Sequence, residues 1–147
     1  AKILKNINLI ISLQSLDEEV LKNIKRQNIS TAVFQDIINK INQESGISGT
    51  EIILALPGET KKSHLESLRK LFNWNVSYII CYNCLFLEGS EMAIQRERGE
   101  FKCETKFRLI DNSFGKYGEI VALEAEEGIR KLETMSEEEI LFFRPVH

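Results

Sequence analysis

The chain is poor in the residues that carry the commonest site chemistries. Three cysteines and two histidines are spread over 147 residues. An odd cysteine count without a secretory leader argues against a disulfide framework. His64 falls in the first turn of an expected helix with no cysteine or second histidine near it in sequence, and His147 is the last residue. Neither a metal site nor a Ser-His-Asp triad therefore has local support. Fingerprints of the G-x-G-x-x-G and P-loop kinds are missing, which removes the usual sequence argument for a glycine-rich phosphate cradle. There is no basic excess either. The formal net charge of −3 gives no electrostatic reason to expect nucleic acid or anionic lipid as a partner. The longest apolar runs fall far short of a membrane span, so no membrane partner is expected. Without a charged-then-apolar leader the expected location is cytoplasmic.

What the chain does contain is an alternation of short apolar runs and amphipathic segments. Ile53-Leu54-Ala55-Leu56-Pro57-Gly58-Glu59-Thr60 is an apolar run stopped by Pro-Gly, then a polar pair that opens an amphipathic segment. It reads as strand, tight turn, helix. In a parallel α/β protein that junction lies at the carboxyl end of a strand, where ligands bind. A second junction of this kind lies upstream, where the apolar run ending in Ser12-Leu13-Gln14-Ser15 gives way to Asp17-Glu18-Glu19.

Residues 7–13 form the first expected strand, short and apolar enough to be buried on both faces. Ser15 and Glu18 have the spacing of a capping box, and Val20, Leu21 and Ile24 continue at helical intervals to about Arg26. A second helix starts at Ser30 and carries the stripe Val33, Phe34, Ile37, Ile38 and Ile41 to near Gly46. Residues 50–56 are the next strand. Thr60 is the N-cap of a helix marked by Leu65, Leu68, Leu71 and Phe72, with Trp74 closing it onto the sheet. Residues 77–87 are the third strand. Helical connections of this length require parallel pairing through right-handed crossovers. Beyond Gly89 the pattern loosens into a short helix over 91–98, strands over 107–110 and 120–124, and a terminal helix opened by a Ser136/Glu139 capping box. The acidic group Glu124, Glu126, Glu127, Glu137, Glu138 and Glu139 reads as a solvated face.

A complete (β/α)8 barrel takes about 250 residues. The expected fold is therefore α/β: a partial (β/α) TIM-like barrel with parallel strands over residues 1–91, and a small C-terminal α+β extension of the same domain over 92–147. At this length one domain buries about 68–70% of its unfolded surface. The chain opens Ala1-Lys2-Ile3 and reaches its first strand almost at once, as expected of a piece from something longer; removal of Met ahead of Ala1 gives the same start.

Taken together, Ser12-Leu13-Gln14-Ser15, Arg26, and Glu51 through Thr60 resemble the radical S-adenosylmethionine (SAM) enzymes, and the match extends through Tyr82 to Glu91. More narrowly the chain is similar to the iron-sulfur oxidoreductase subgroup that often carries a cobalamin-binding domain, and to the oxygen-independent coproporphyrinogen oxidases. The family binds a [4Fe-4S] cluster through C-x-x-x-C-x-x-C, which this chain lacks. Cys81 and Cys84 have C-x-x-C spacing, but they lie in a run that reads as a strand. There an odd separation places two side chains on opposite faces. No metal ligand is assigned.

The resemblance implies that Gln14, Arg26, Glu51 and Leu85 contact SAM. Gln14 ends the first strand and offers both a donor and an acceptor; the alternative is a side chain that satisfies loop backbone. Arg26 would clamp the methionyl carboxylate bidentately, as the neighbouring Lys25 cannot with the same geometry; the alternative is a cation complementing the helix dipole. Glu51, at the start of the second strand, would accept from ribose hydroxyls or the ligand ammonium; the alternative is an exposed acid. Leu85 would touch the adenosyl portion, or simply pack in the core. Ala55 stands where the family generally has Gly, and Glu88 where it has Pro in the turn Leu87-Glu88-Gly89-Ser90-Glu91.

On this reading the chain is the SAM-binding half of a radical SAM enzyme and is inactive by itself. Its parent would use the cluster to split SAM into a 5′-deoxyadenosyl radical, and in one subgroup would also carry cobalamin. The partners expected are the small-molecule cofactor and the remainder of the parent polypeptide. A different class of function is a noncatalytic α/β binding or assembly module, since the outer strands of half a barrel leave edges that invite dimerisation.

Overall fold

A computed structural model describes residues 8–147. Ile7, the expected start of the first strand, lies outside the described residues. The first half of the chain alternates as its periodicity requires: β1 (Asn8–Gln14), α1 (Glu18–Asn23), α2 (Thr31–Gln43), β2 (Ile47–Leu54), α3 (Lys61–Asn73) and β3 (Tyr78–Asn83). The three strands form an open sheet in the order β1-β2-β3, with both pairings parallel. The α/β class and the parallel pairing follow from the long helical connections. No closed barrel forms among the described residues.

Strand alternation divides this sheet into two unlike faces. Leu13 and Ile52, with Ile79 and Cys81 beside them, pack against Phe34 and Ile38 of α2 and Leu71 of α3. Trp74 joins this core with its ring 5.6 Å from that of Phe34. Two positions of the expected helical stripes miss it: Val33 is half-exposed, and Phe72 points to solvent at 78% exposure. Both stand one position off the buried line, where 3.6 residues per turn swing the side chain away from the sheet. The opposite face carries Ser12, Glu51 and Tyr82, and no helix among the described residues covers these three.

Several boundaries differ from those the sequence suggests. Asp17, not Ser15, caps α1, accepting from the backbone of Glu19 and Val20. The Ser15 hydroxyl instead accepts from the Asp17 N–H. Both residues compete for the same end, and the one nearer the first turn wins. The helix is short, so Arg26 lies beyond it in the following loop. Ser30 and Thr60 cap α2 and α3 as expected. α2 closes with Ser45 at φ 54° and a Gly46 N–H bond to the Ile41 carbonyl, a Schellman-type ending. β2 can therefore begin at Ile47, which puts Glu51 inside the strand rather than at its start.

The expected third strand is broken at Cys84. β3 ends at Asn83, and β4 (Leu85–Phe86) belongs to a second sheet. Cys84 bridges the two sheets, donating its N–H to Leu54 at the end of β2 and accepting from Ile129. After α4 (Glu91–Glu97), the two short strands expected near 107–110 and 120–124 are one long antiparallel hairpin, β5 (Cys103–Tyr117) and β6 (Ile120–Leu132). The second sheet has the order β4-β6-β5. A register shift between Leu109 and Phe114 breaks the alternation that would have marked a single strand. Glu126 pairs with Arg108, Glu127 with Arg96, and Glu137 with Lys106 and Arg130, so half of this acidic group is ion-paired, while Glu124 and Glu138 are exposed. α5 (Glu137–Phe142) has the Ser136/Glu139 capping box. Among the described residues no helix is long and apolar enough to cross a membrane.

A second core, with Val20, Leu54, Cys84, Ile129, Met135 and Phe143 buried in it, locks the second sheet and α5 beneath the carboxyl end of β2. The loop over this core is a tight turn. Glu59 N–H bonds the Leu56 carbonyl at 2.9 Å, with Gly58 at φ +85°, the arrangement of a type II turn with Pro at its second position. A Cβ on Gly58 would run into the Asn23 amide, which itself donates to the Pro57 carbonyl. We expect Gly58→Ala to destabilise the fold by about 1–2 kcal/mol, the penalty for a left-handed L-residue, measured by urea unfolding at constant m-value. Ala55 also has positive φ, at 68°, so Ala55→Gly should be neutral or stabilising by up to about 1 kcal/mol. A stability loss in Ala55→Gly larger than that in Gly58→Ala would contradict the turn geometry.

Candidate functional site

The carboxyl ends of β1 and β2 lie side by side in the sheet, as parallel pairing demands. Six non-glycine residues have positive φ. Lys25, Ser45 and Asn75 each follow the C-cap residue of a helix, where a left-handed residue ends the last turn. Gln14 at φ 61° and Ala55 at φ 68° have no such role. One ends β1 and the other immediately follows β2, so local strain is concentrated where two adjacent parallel strands finish. At Gln14 the Ser15 N–H folds back to the Leu13 carbonyl at 2.8 Å.

Around this end the side chains form two hydrogen-bonded groups. The first centres on Ser12 of β1, with Glu51 on the polar face of the sheet and Arg26 lining a cavity with Leu13, Phe34 and Trp74 of the helix-packed side. Glu51 accepts from the Ser12 hydroxyl of β1 and, at 3.5 Å, from the Tyr82 hydroxyl of β3. Its carboxylate therefore spans all three strands. Arg26 approaches from the loop after α1, donating Nη2–H to the Ser12 carbonyl at 2.6 Å and Nε–H to Asn28 at 3.2 Å. Asn28 in turn donates to the Ser15 carbonyl. Arg26 and Glu51 thus meet at Ser12, one on its carbonyl and the other on its hydroxyl. Gln14 follows two residues later, and its side chain has no hydrogen-bond partner among the described residues. Leu85 stands apart: it pairs with Gly128 in the second sheet and lines a cleft with Phe107, Ile140 and Arg144.

Arg26 is not in a last helical turn, so complementing the dipole of α1 does not explain it. Its two hydrogen bonds hold the strand end and its own loop. Ser12 and Tyr82 are participants that a search for charged residues passes over. Ser12 faces Glu51 directly in register, and Tyr82 lies opposite Ile53, on the same face of the sheet; period-2 alternation alone would have identified both.

The second group is buried beneath the Pro57-Gly58 turn. Glu59, 1% exposed, accepts the Ala55 N–H at 2.7 Å on one oxygen and the His64 Nδ1–H at 2.9 Å on the other. Its backbone carbonyl accepts from the Thr134 hydroxyl at 2.6 Å. With Nδ1 protonated, His64 presents a bare Nε2, which lies 3.0 Å from Nε2 of His147. The sequence shows no second histidine near His64; the fold supplies one from 83 positions away. Phe143 packs edge-on to His64 and stacks on His147. Burial, and then the proximity of His64, lower the pKa of His147 from 6.5 to about 4.

The thiols do not suit an iron-sulfur cluster. Cys81 packs with the α2–α3 core and Cys84 with the other. Burial is the leading cause that raises Cys81 to about 11 and Cys84 to about 12, with the Glu59 carboxylate adding to each. Cys103 is raised too, again chiefly by burial. Cluster ligation needs thiolates, and burial opposes that charge at Cys81 and Cys84, which belong to separate cores. No protein-family model matches the chain, and no curated protein matches it.

The lowered pKa of His147 fixes a pH dependence. An unfolded histidine binds its proton near pH 6.5 and folded His147 near pH 4. Between those values the unfolded state holds more protons, so stability falls as pH drops through the window and is unaffected by this group above it. His147→Gln should flatten the slope of unfolding free energy against pH between 6.5 and 4. The His147 ring-proton resonance should titrate near pH 4; a midpoint near 6.5, or equal slopes for the two proteins, would contradict the buried contact with His64.

Proposed function

We propose that this chain is the SAM-binding half of a radical SAM iron-sulfur enzyme, its open parallel sheet being part of a (β/α) TIM-like barrel, and that it is catalytically inactive alone. The observation that supports this reading is that Arg26 and Glu51 both bond Ser12, two residues before Gln14 ends β1. The uncovered face supports it further. Helices cover only one side of the sheet, and the other bears a carboxylate already accepting two hydroxyls. Ribose hydroxyls or an ammonium group would make the same kind of bond. Gln14, strained and without a side-chain partner, has both an amide donor and a carbonyl acceptor to offer. Because two donors of Arg26 are engaged by Ser12 and Asn28, its part is to position the strand end, with its remaining donors available to a carboxylate.

The left-handed Ala55 gives the resemblance a physical basis. The family generally has glycine here, and the φ of 68° at Ala55 is one that glycine adopts freely. The cluster belongs to the remainder of the parent polypeptide, since the thiols of this chain do not fit it. Cobalamin belongs there too, if the parent is of that subgroup. Where bound, the cluster supplies the reductive chemistry; this chain supplies the binding surface.

An assembly module is the second reading, and the exposed apolar hairpin favours it. The two readings separate on ligand binding. Calorimetric titration of a longer polypeptide that includes a C-x-x-x-C-x-x-C segment should show SAM binding, weakened about tenfold, or about 1.4 kcal/mol, by Glu51→Gln. Binding unchanged by Glu51→Gln removes Glu51 from the site. Complete absence of binding in that polypeptide rules out the radical SAM assignment.

A further inference from the structure

The outer half of the β5–β6 hairpin is amphipathic across its two faces. Residues directly opposite in an antiparallel ladder point the same way. Phe107 opposite Glu127, Leu109 opposite Ala125, Phe114 opposite Leu123 and Lys116 opposite Val121 therefore share one face. The other face holds the Arg108–Glu126 ion pair, Gly115 and Ala122, with only Tyr117 and Ile120, at the very tip, adding large exposed side chains to it. On the first face Phe107 is 72% exposed, Leu109 63%, Phe114 73%, Val121 60% and Leu123 60%. Nearer the base, Cys103 and Ile129 are packed in the second core. The buried apolar surface thus continues outward as a strip that nothing among the described residues covers.

We infer that this strip is the interface of a two-fold homodimer, in which the apolar faces of two hairpins pack against each other. The five side chains together expose on the order of 600 Å². That is at the upper end of the largest patch usual on a monomer, and it approaches the roughly 800 Å² per partner of a standard interface. A flat two-stranded apolar face is matched in size and shape by its own copy. One charge orients the pair: Lys116 lies at the tip end of the strip. A two-fold axis crossing the strands keeps the two Lys116 side chains at opposite ends, whereas an axis along the strands would set them together. The surface contains none of Gln14, Arg26 and Glu51, and it is distinct from the outer edges of the parallel sheet.

Sedimentation velocity of the full chain over a concentration series tests this directly. The wild type is expected to dimerise reversibly. Leu123→Lys and Phe114→Glu, both at exposed positions, should each weaken association at least tenfold with unchanged circular dichroism and urea midpoint. Glu124→Lys, on the opposite face, should leave it unaltered. A monomer throughout the high-micromolar range overturns the inference, as does a dimer indifferent to both apolar-face substitutions, which would place the contact elsewhere. Flotation of a monomeric chain with neutral phosphatidylcholine vesicles would also overturn it, by making lipid the occupant of the strip.

Discussion

The Glu59 carboxylate is the interaction on which the rest of the structure depends. A buried ionised group is tolerated only when its lone pairs are occupied, and each Glu59 oxygen has its own donor: the Ala55 N–H and the His64 Nδ1–H. The first of these bonds holds the backbone just after β2 in its left-handed turn. The second fixes the first turn of α3 and, through His64, the position of His147. The Glu59 carbonyl receives Thr134, from the segment joining β6 to α5. One residue thus joins the end of the parallel sheet, the helix after it and the last elements of the chain. Removing the carboxyl group altogether would leave both the His64 ring and the Ala55 N–H buried without their acceptor, a penalty larger than the loss of a single hydrogen bond.

That fixed loop matters because the neighbouring strand end is strained as well. Gln14 and Ala55 both sit in a conformation disfavoured for residues with a Cβ. Each is held there by its surroundings, Gln14 by the Arg26 and Asn28 bonds to Ser12 and Ser15 and Ala55 by Glu59. With α2 and α3 buried against one side of the sheet, the polar residues Ser12, Glu51 and Tyr82 are left on the other. The division between a packed face and a polar one is already present in the alternation of each strand.

Much of this could be read in the sequence, for identifiable reasons. Short apolar runs bounded by turn residues gave the three parallel strands, and Ser30, Thr60 and Ser136 stood where caps belong. The Pro57-Gly58 turn was legible because only a few backbone geometries place Pro and Gly together. The hairpin was not. Ile110-Asp111-Asn112-Ser113 falls in the register shift between Leu109 and Phe114, so two alternating stretches appear as separate short strands. The break at Cys84 lies within a continuous apolar run that carries no turn signal. The Glu59–His64–His147 contact could not be read at all, since its partners are brought together by the packing of α5 and Phe143 rather than by spacing. Glu51, Arg26 and Gln14 came from the family-like pattern, whereas their link through Ser12 came only from the fold.

Amide chemical-shift mapping of the isotopically labelled chain titrated with SAM tests the central claim most directly, because it detects weak binding and locates it. The account predicts perturbations concentrated at Gln14, Ser15, Glu51, Ala55 and Gly58, with the outer half of β5 and β6 unmoved. No perturbation at saturating ligand, or shifts confined to the second sheet, would contradict it.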